Sequence, residues 1–199
     1  MGTILCDIGG VLLNVDFSRS ISKLSHMSAI SEQVLRERIF HSGFKEKHDL
    51  GEISSFEFYK KILPEGSISY PHFKVVWSDI FTENKEVINY VMSLSKHFYI
   101  YIASNTDPIH YEFIHKNYPW LSMFDGFGLS FNLKAAKPSS GFFFKLCKEF
   151  CISYTDMIFI DDLNENVEAA NHLGIASHVF LELKALKWFV KNEMQKRLI

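Results

Sequence analysis

The chain has 199 residues, 47% of them hydrophobic, and a formal net charge of −2 with acidic and basic residues interspersed. That length suits one core domain with a modest insertion, and the absence of a basic block or stripe argues against a nucleic-acid partner. No run is long and apolar enough to span a membrane; no secretory leader precedes the first apolar run; and the odd set Cys6, Cys147 and Cys151 fits a reducing, cytoplasmic setting.

In chain order, Thr3–Cys6 reads as a short buried strand ending at Asp7. Gly9-Gly10 is a turn, and Val11–Val15 is a second apolar run. From Phe17 to Glu83 the pattern becomes all-helical, with breaks at Gly43, Gly51 and Pro64-Glu65-Gly66. Ser54 and Glu57 form a capping box opening a helix over 55–63, and a further helix is expected over 71–81.

Beyond that block the pattern alternates. Helices are expected over 84–96, 108–117, 140–151 and 167–173, and strands over 98–103, 127–130, 157–160 and 177–180. A final helix collects Lys184, Lys187, Lys191, Lys196 and Arg197 on one face, with Leu183, Leu186, Val190 and Met194 at helical spacing. Strands alternating with helices of this length imply an α/β fold, a Rossmann-like parallel sheet with helices on both faces. Residues 1–16 and 84–199 would form the core, and 17–83 an inserted helical cap.

Polar residues stand at the ends of three expected strands: Asp7, Ser104-Asn105 and Asp161-Asp162. Ligands of open parallel sheets bind at the carboxyl ends of the strands, so these residues can converge. Carboxylates there suit Mg²⁺, which keeps several waters and takes substrate phosphate. Lys137, before Pro138 and ahead of a helix, can supply positive charge for a phosphoryl group. Each residue alone is commonplace, since Asp, Ser and Asn after strands usually cap helices; the ordered set carries the signal.

That set resembles the four motifs of the haloacid-dehalogenase (HAD) superfamily. Residues 4–12, ILCDIGGVL, look like the first, which implies Asp7 as nucleophile and metal ligand, the Gly9 main-chain carbonyl as a further metal ligand, and Gly10 at the phosphate. Residues 100–106, IYIASNT, are similar to the second, implying that Ser104 and Asn105 bind phosphate. Ala136-Lys137-Pro138 looks like the third, with Lys137 neutralising nucleophile and phosphate. Residues 158–166, IFIDDLNEN, resemble the fourth, with Asp162 as direct metal ligand and Asp161 and Asn166 in support. The implied protein is a Mg²⁺-dependent phosphatase acting on a small-molecule phosphate ester, a sugar phosphate favoured, through an aspartyl-phosphate.

The resemblance extends to the cap: Leu50-Gly51-Glu52-Ile53-Ser54 matches a recurrent cap sequence, and the branch indicated holds glucose-1-phosphate-type phosphatases and the phosphatase domain of epoxide hydrolase. Lys45, Lys47, His48 and Asp49, ahead of Gly51, are candidates for the entrance. One departure stands out. Most phosphatases of this kind carry a general acid/base Asp two residues after the nucleophile, and here that position is Gly9. A haloacid dehalogenase, a phosphomutase (which also normally relies on the absent acid) and a binding protein with a decayed site are the rival readings. The pair Asp161-Asp162 disfavours the first, and the intact Asp7, Lys137 and acid pair disfavour the last.

Overall fold

The computed structural model describes residues 2–196. Its centre is a five-stranded, all-parallel sheet of β1 (Gly2–Cys6), β4 (Phe98–Ser104), β5 (Gly126–Leu129), β6 (Met157–Asp161) and β7 (Ala176–Val179), in the order β5-β4-β1-β6-β7. β1 sits in the middle, with Cys6 opposite Ile102 on one side and Ile160 on the other. Three edges of the site therefore leave the sheet from adjacent strands.

Both faces of the sheet are covered, which is why its strands are continuous apolar runs. Side chains alternate between the two layers. Ile4, Cys6, Ile100, Ile102, Ile158 and Ile160 face one layer, where they meet Val87 and Val91 of α6 (Lys85–Ser93) and Leu186 and Val190 of α11 (Leu183–Lys196). Leu5, Ala103 and Phe159 face the other, against Phe142, Phe143 and Leu146 of α9 (Ser140–Phe150) and Val167 and Ala170 of α10 (Asn164–His172). Arg197, expected on the basic face of the last helix, lies outside the described residues.

Between β2 (Leu13–Val15) and β3 (Phe81–Glu83) the chain forms α1 (Phe17–Ser28), α2 (Glu32–Arg36) running into a π-turn over Glu37–His41, α3 (Phe44–Asp49), α4 (Ser55–Ile62) and α5 (Tyr70–Trp77). The expected capping box opens α4: Ser54 Oγ accepts from Glu57 N, and a Glu57 carboxylate oxygen accepts from Ser54 N. These helices enclose a second apolar cluster, with Ile21, Leu24, Ile39, Phe58, Phe73 and Trp77 fully buried.

The structure corrects the all-helical reading of this block at its end. The helix expected over 71–81 stops at Trp77, and Phe81–Glu83 is a strand antiparallel to Leu13–Val15. The two strands are separated by all five helices, so no local turn chemistry announces the pairing. The ribbon is the place where the chain leaves the sheet layer and returns to it.

Candidate functional site

The carboxyl ends of β1, β4 and β6 bring the sequence-predicted residues together. Asp7 follows β1; its main-chain N–H donates to Ile160 O at 3.0 Å, and its Oδ1 accepts from Ile8 N at 2.7 Å, which fixes the carboxylate. Lys137 reaches in from the loop before α9 with its side chain fully buried. Its ammonium stands 3.1 Å from Asp7 Oδ2, 2.5 Å from Asp161 Oδ2 and 2.6 Å from Ala103 O. Three donors meet three acceptors, so the cation has no rotational freedom left. Burial pushes the Lys137 ammonium towards neutrality, but Asp7 and Asp161 outweigh it and hold it charged. Burial pushes the Asp7 carboxyl up to about 6, with Lys137 and the Ser104 hydroxyl pulling against it.

Asp161 is a hub. Besides Lys137, its Oδ1 accepts from Leu163 N and Asn166 Nδ2, both at 2.9 Å. Asp162 is half-buried, and burial followed by the Asp161 charge raises its carboxyl. One oxygen from each of Asp7, Asp161 and Asp162 lies within 4.8 Å of the others. Such a hard oxygen set fits Mg²⁺. Both Asp161 oxygens already accept from protein donors, and Asp162, the half-buried member, is the freer ligand of the two adjacent acids.

Two of the residues expected at the phosphate are also tied within the protein. Gly10 N donates to Leu13 O at 2.8 Å, and its Cα is packed on Asp162: a Cβ there would stand 2.0 Å from Asp162 Oδ2. With φ at +71°, the position needs glycine for both conformation and room. Asn105 uses both ends of its carboxamide on the Lys137 main chain, Nδ2 to Lys137 O at 2.8 Å and Oδ1 from Lys137 N at 2.9 Å. It braces the loop that carries the lysine. Ser104 closes β4 and is buried beside Asp7.

Of the four residues expected at the entrance, Lys45 borders a cavity of about 120 Å³ that also touches Ile8, Gly9, Ser104 and Asn105. Lys47 is exposed. His48 is fully buried, with Nε2 2.9 Å from Ser55 Oγ and its ring stacked on Phe58. Burial drives its pKa down to about 4. Asp49 Oδ2 accepts from Lys45 Nζ at 2.5 Å, while its Oδ1 is buried without a donor.

Sequence reasoning missed a second buried group beneath this cavity. Asp107, the N-cap of α7 (Pro108–Asn117), accepts from the main-chain N–H of Ile109 and His110 and from Trp77 Nε1. His110 Nδ1 stands 2.8 Å from Asp107 Oδ2, and Nε2 stands 3.0 Å from Trp77 O. Both ring nitrogens of His110 thus face acceptors, and the indole of Trp77 stacks on the ring at 5.0 Å. Burial raises the Asp107 carboxyl, but His110 and His48 outweigh it and hold the group well below the usual carboxylate range. Asp-Pro before a helical run marks the cap; nothing local marks Trp77, which lies 30 residues upstream of Asp107. Ser130, opening α8 (Ser130–Leu133), adds a tie, accepting from Thr106 N at 3.0 Å and donating to Asp49 O at 2.6 Å.

No family model matches the sequence. A D-ribitol-5-phosphate phosphatase of Bacteroides thetaiotaomicron is 23% identical over 180 residues, covering 86% of this chain and 87% of the relative. A crystal structure of a HAD family enzyme from the same organism, in complex with magnesium and inorganic phosphate, superposes with a TM-score of 0.83 at 25% identity and covers 94% of this chain and 98% of that one. An L-2-haloacid dehalogenase from Xanthobacter autotrophicus superposes less closely, with a TM-score of 0.64 at 14% identity over 94% of this chain and 81% of that one.

Proposed function

The chain has the haloacid-dehalogenase family fold, and from that premise we propose that it is a Mg²⁺-dependent phosphatase hydrolysing a small sugar or polyol phosphate through an aspartyl-phosphate on Asp7. The observation that carries this reading is the buried trio of Asp7, Lys137 and Asp161 at the ends of adjacent parallel strands, with an Asp162 oxygen within 4.8 Å. The B. thetaiotaomicron relatives support it, one by its name and the other by the magnesium and phosphate in its crystal.

Asp7, held by the Ile8 N–H, presents its carboxylate to phosphorus. Lys137 offsets the repulsion between that carboxylate and the approaching phosphoryl oxygens, and the Ser104 hydroxyl donates to one of them. Asn105 keeps Lys137 in register by holding its main chain at both ends. Asp7 and Asp162, with the Gly9 carbonyl, would hold Mg²⁺, and Asp161 and Asn166 would brace the set. When bound, the ion supplies charge neutralisation at the phosphoryl oxygens. Water then attacks phosphorus of the acyl-phosphate and restores the Asp7 carboxylate. With glycine at position 9, esters whose leaving oxygen departs without full protonation depend least on the acid this position lacks.

The helices within 17–83 form the cap of this proposal, with their own buried cluster supporting a separate layer. Cys6, Cys147 and Cys151 are all free thiols, which supports a reducing cytoplasmic setting. Among the described residues, no helix is long and apolar enough to cross a membrane. The acid pair favours phosphate hydrolysis over dehalogenation, which needs no metal. A panel of phosphate esters assayed with Mg²⁺ and again after chelation tests the reading. Turnover that requires Mg²⁺ supports it, and metal-independent release of halide from 2-haloacids with no ester turnover would overturn it.

A further inference from the structure

The cavity beside the phosphate end of the site has a polarity of its own. At about 120 Å³ it holds roughly four waters' worth of space, enough for a short carbon chain. Ser104 and Asn105 give it polar lining, and Val15, Phe17, Phe81 and Ile114 give it apolar lining. Of the ionisable side chains lining it, His110 has both nitrogens engaged within the protein. Lys45 does not: its ammonium carries three N–H donors, and Asp49 takes one. The cap therefore presents a spare donor to the cavity that Ser104 also lines.

That donor is not a free positive charge. Asp49 lies 2.5 Å from it, and the other Asp49 oxygen has no donor of its own. Asp107 adds negative potential behind: burial works against the Lys45 charge, but Asp49 and Asp107 together hold the ammonium protonated. A substrate carboxylate reaching Lys45 would meet a cation already neutralised by Asp49, whose second oxygen has no donor, an arrangement that disfavours another carboxylate. A hydroxyl suffers no such repulsion and accepts from the ammonium as readily.

Resting on the phosphatase reading, we infer that Lys45 is the specificity-determining residue for the leaving group, and that the Lys45–Asp49 pair selects a neutral hydroxylated chain over one bearing a carboxylate. The apolar lining then faces the C–H groups of that chain.

The test is the kcat/KM of wild type, Lys45→Met and Asp49→Asn for ribitol 5-phosphate, 3-phosphoglycerate and p-nitrophenyl phosphate. Wild type should favour ribitol 5-phosphate over 3-phosphoglycerate. In Lys45→Met the ratio of ribitol 5-phosphate to p-nitrophenyl phosphate should fall by about 10- to 150-fold, the worth of a hydrogen bond to a charged group. Asp49→Asn should shift the preference towards 3-phosphoglycerate, because the ammonium is then uncompensated. Ratios separate selectivity from any general loss of folded enzyme. A wild type preferring 3-phosphoglycerate, or a Lys45→Met variant with an unchanged ratio, overturns the inference and leaves the phosphatase reading standing. A wild type inert to all three esters overturns both.

Discussion

Gly9 and Gly10 are adjacent, yet the structure assigns alanine at the two positions opposite outcomes. A Cβ on Gly10 would lie 2.0 Å from Asp162 Oδ2, 2.2 Å from Asp162 Cγ and 2.8 Å from Asp162 Cβ. Optimal non-bonded contact is about 3.5 Å, so the carboxylate would have to withdraw by about 1.5 Å. The left-handed backbone adds about 1–2 kcal/mol for a non-glycine residue. Mg²⁺ demands near-ideal ligand geometry, so a displaced Asp162 should weaken its binding by about 10- to 100-fold, the usual cost of disturbing a ligand's support. Misplacement on the scale of 1 Å costs about 10²-fold in rate. Gly9 has an ordinary φ, and a Cβ there meets only Val15 Cγ2 at 3.3 Å, on a partly exposed side chain that can turn aside. Gly9→Ala should stay within a few-fold of wild type. Thermal melting at increasing Mg²⁺ gives the affinity, and turnover of p-nitrophenyl phosphate gives the rate. A Gly10→Ala protein with wild-type affinity and rate would refute the argument, as would a Gly9→Ala protein equally damaged.

Other expectations follow from the same contacts. Asp162→Asn should weaken Mg²⁺ binding while leaving the metal-free melting temperature nearly unchanged. Asp161→Asn, by contrast, removes the 2.5 Å partner of a buried lysine and should destabilise the fold by about 3 kcal/mol or more; metal titration and melting of both variants decide this, and equal profiles would contradict it. Asn105→Ala frees both ends of the Lys137 main-chain brace and should lower kcat with Mg²⁺ affinity unchanged. His48 has a folded pKa of about 4 against 6.5 unfolded. Its contribution is therefore intact above pH 6.5 and declines as pH falls towards 4, by up to about 3 kcal/mol. Asp7, raised to about 6, works in the opposite sense, so the measurement is the difference in chemical-denaturation stability between wild type and His48→Gln from pH 7 to 4.5. A difference that does not change with pH would refute a neutral buried His48.

The elements legible in the sequence were those with a local cause. The parallel strands are continuous apolar runs because both faces are covered, and the polar residues that end them therefore stand out. Helix α7 begins at the Asp107-Pro108 cap, and α4 at the Ser54 capping box. Elements with distant causes were hidden. β3 depends on β2, far upstream in the chain, and Phe81-Thr82-Glu83 is too short to show a period. The bracing by Asn105 was equally hidden: its carboxamide bonds the main chain of Lys137, 32 residues downstream, and no local spacing reveals that. Gly10 reads as a turn and is one, but its closest constraint, Asp162 in the loop after β6, is not legible locally. The Asp107–His110–Trp77 group joins the end of α5, in the inserted segment, to the start of α7, beyond β4, and no local spacing reveals that Trp77 is the partner of the Asp107–His110 pair.

The central claim is that Asp7 carries the phosphoryl group between two half-reactions. Borohydride reduction of enzyme quenched during turnover converts an aspartyl-phosphate to homoserine, and peptide mass spectrometry locates it. The account predicts homoserine at position 7, dependent on both substrate and Mg²⁺, and neither the mark nor turnover in Asp7→Asn. Homoserine at Asp161 or Asp162, or substantial turnover by Asp7→Asn, would contradict it.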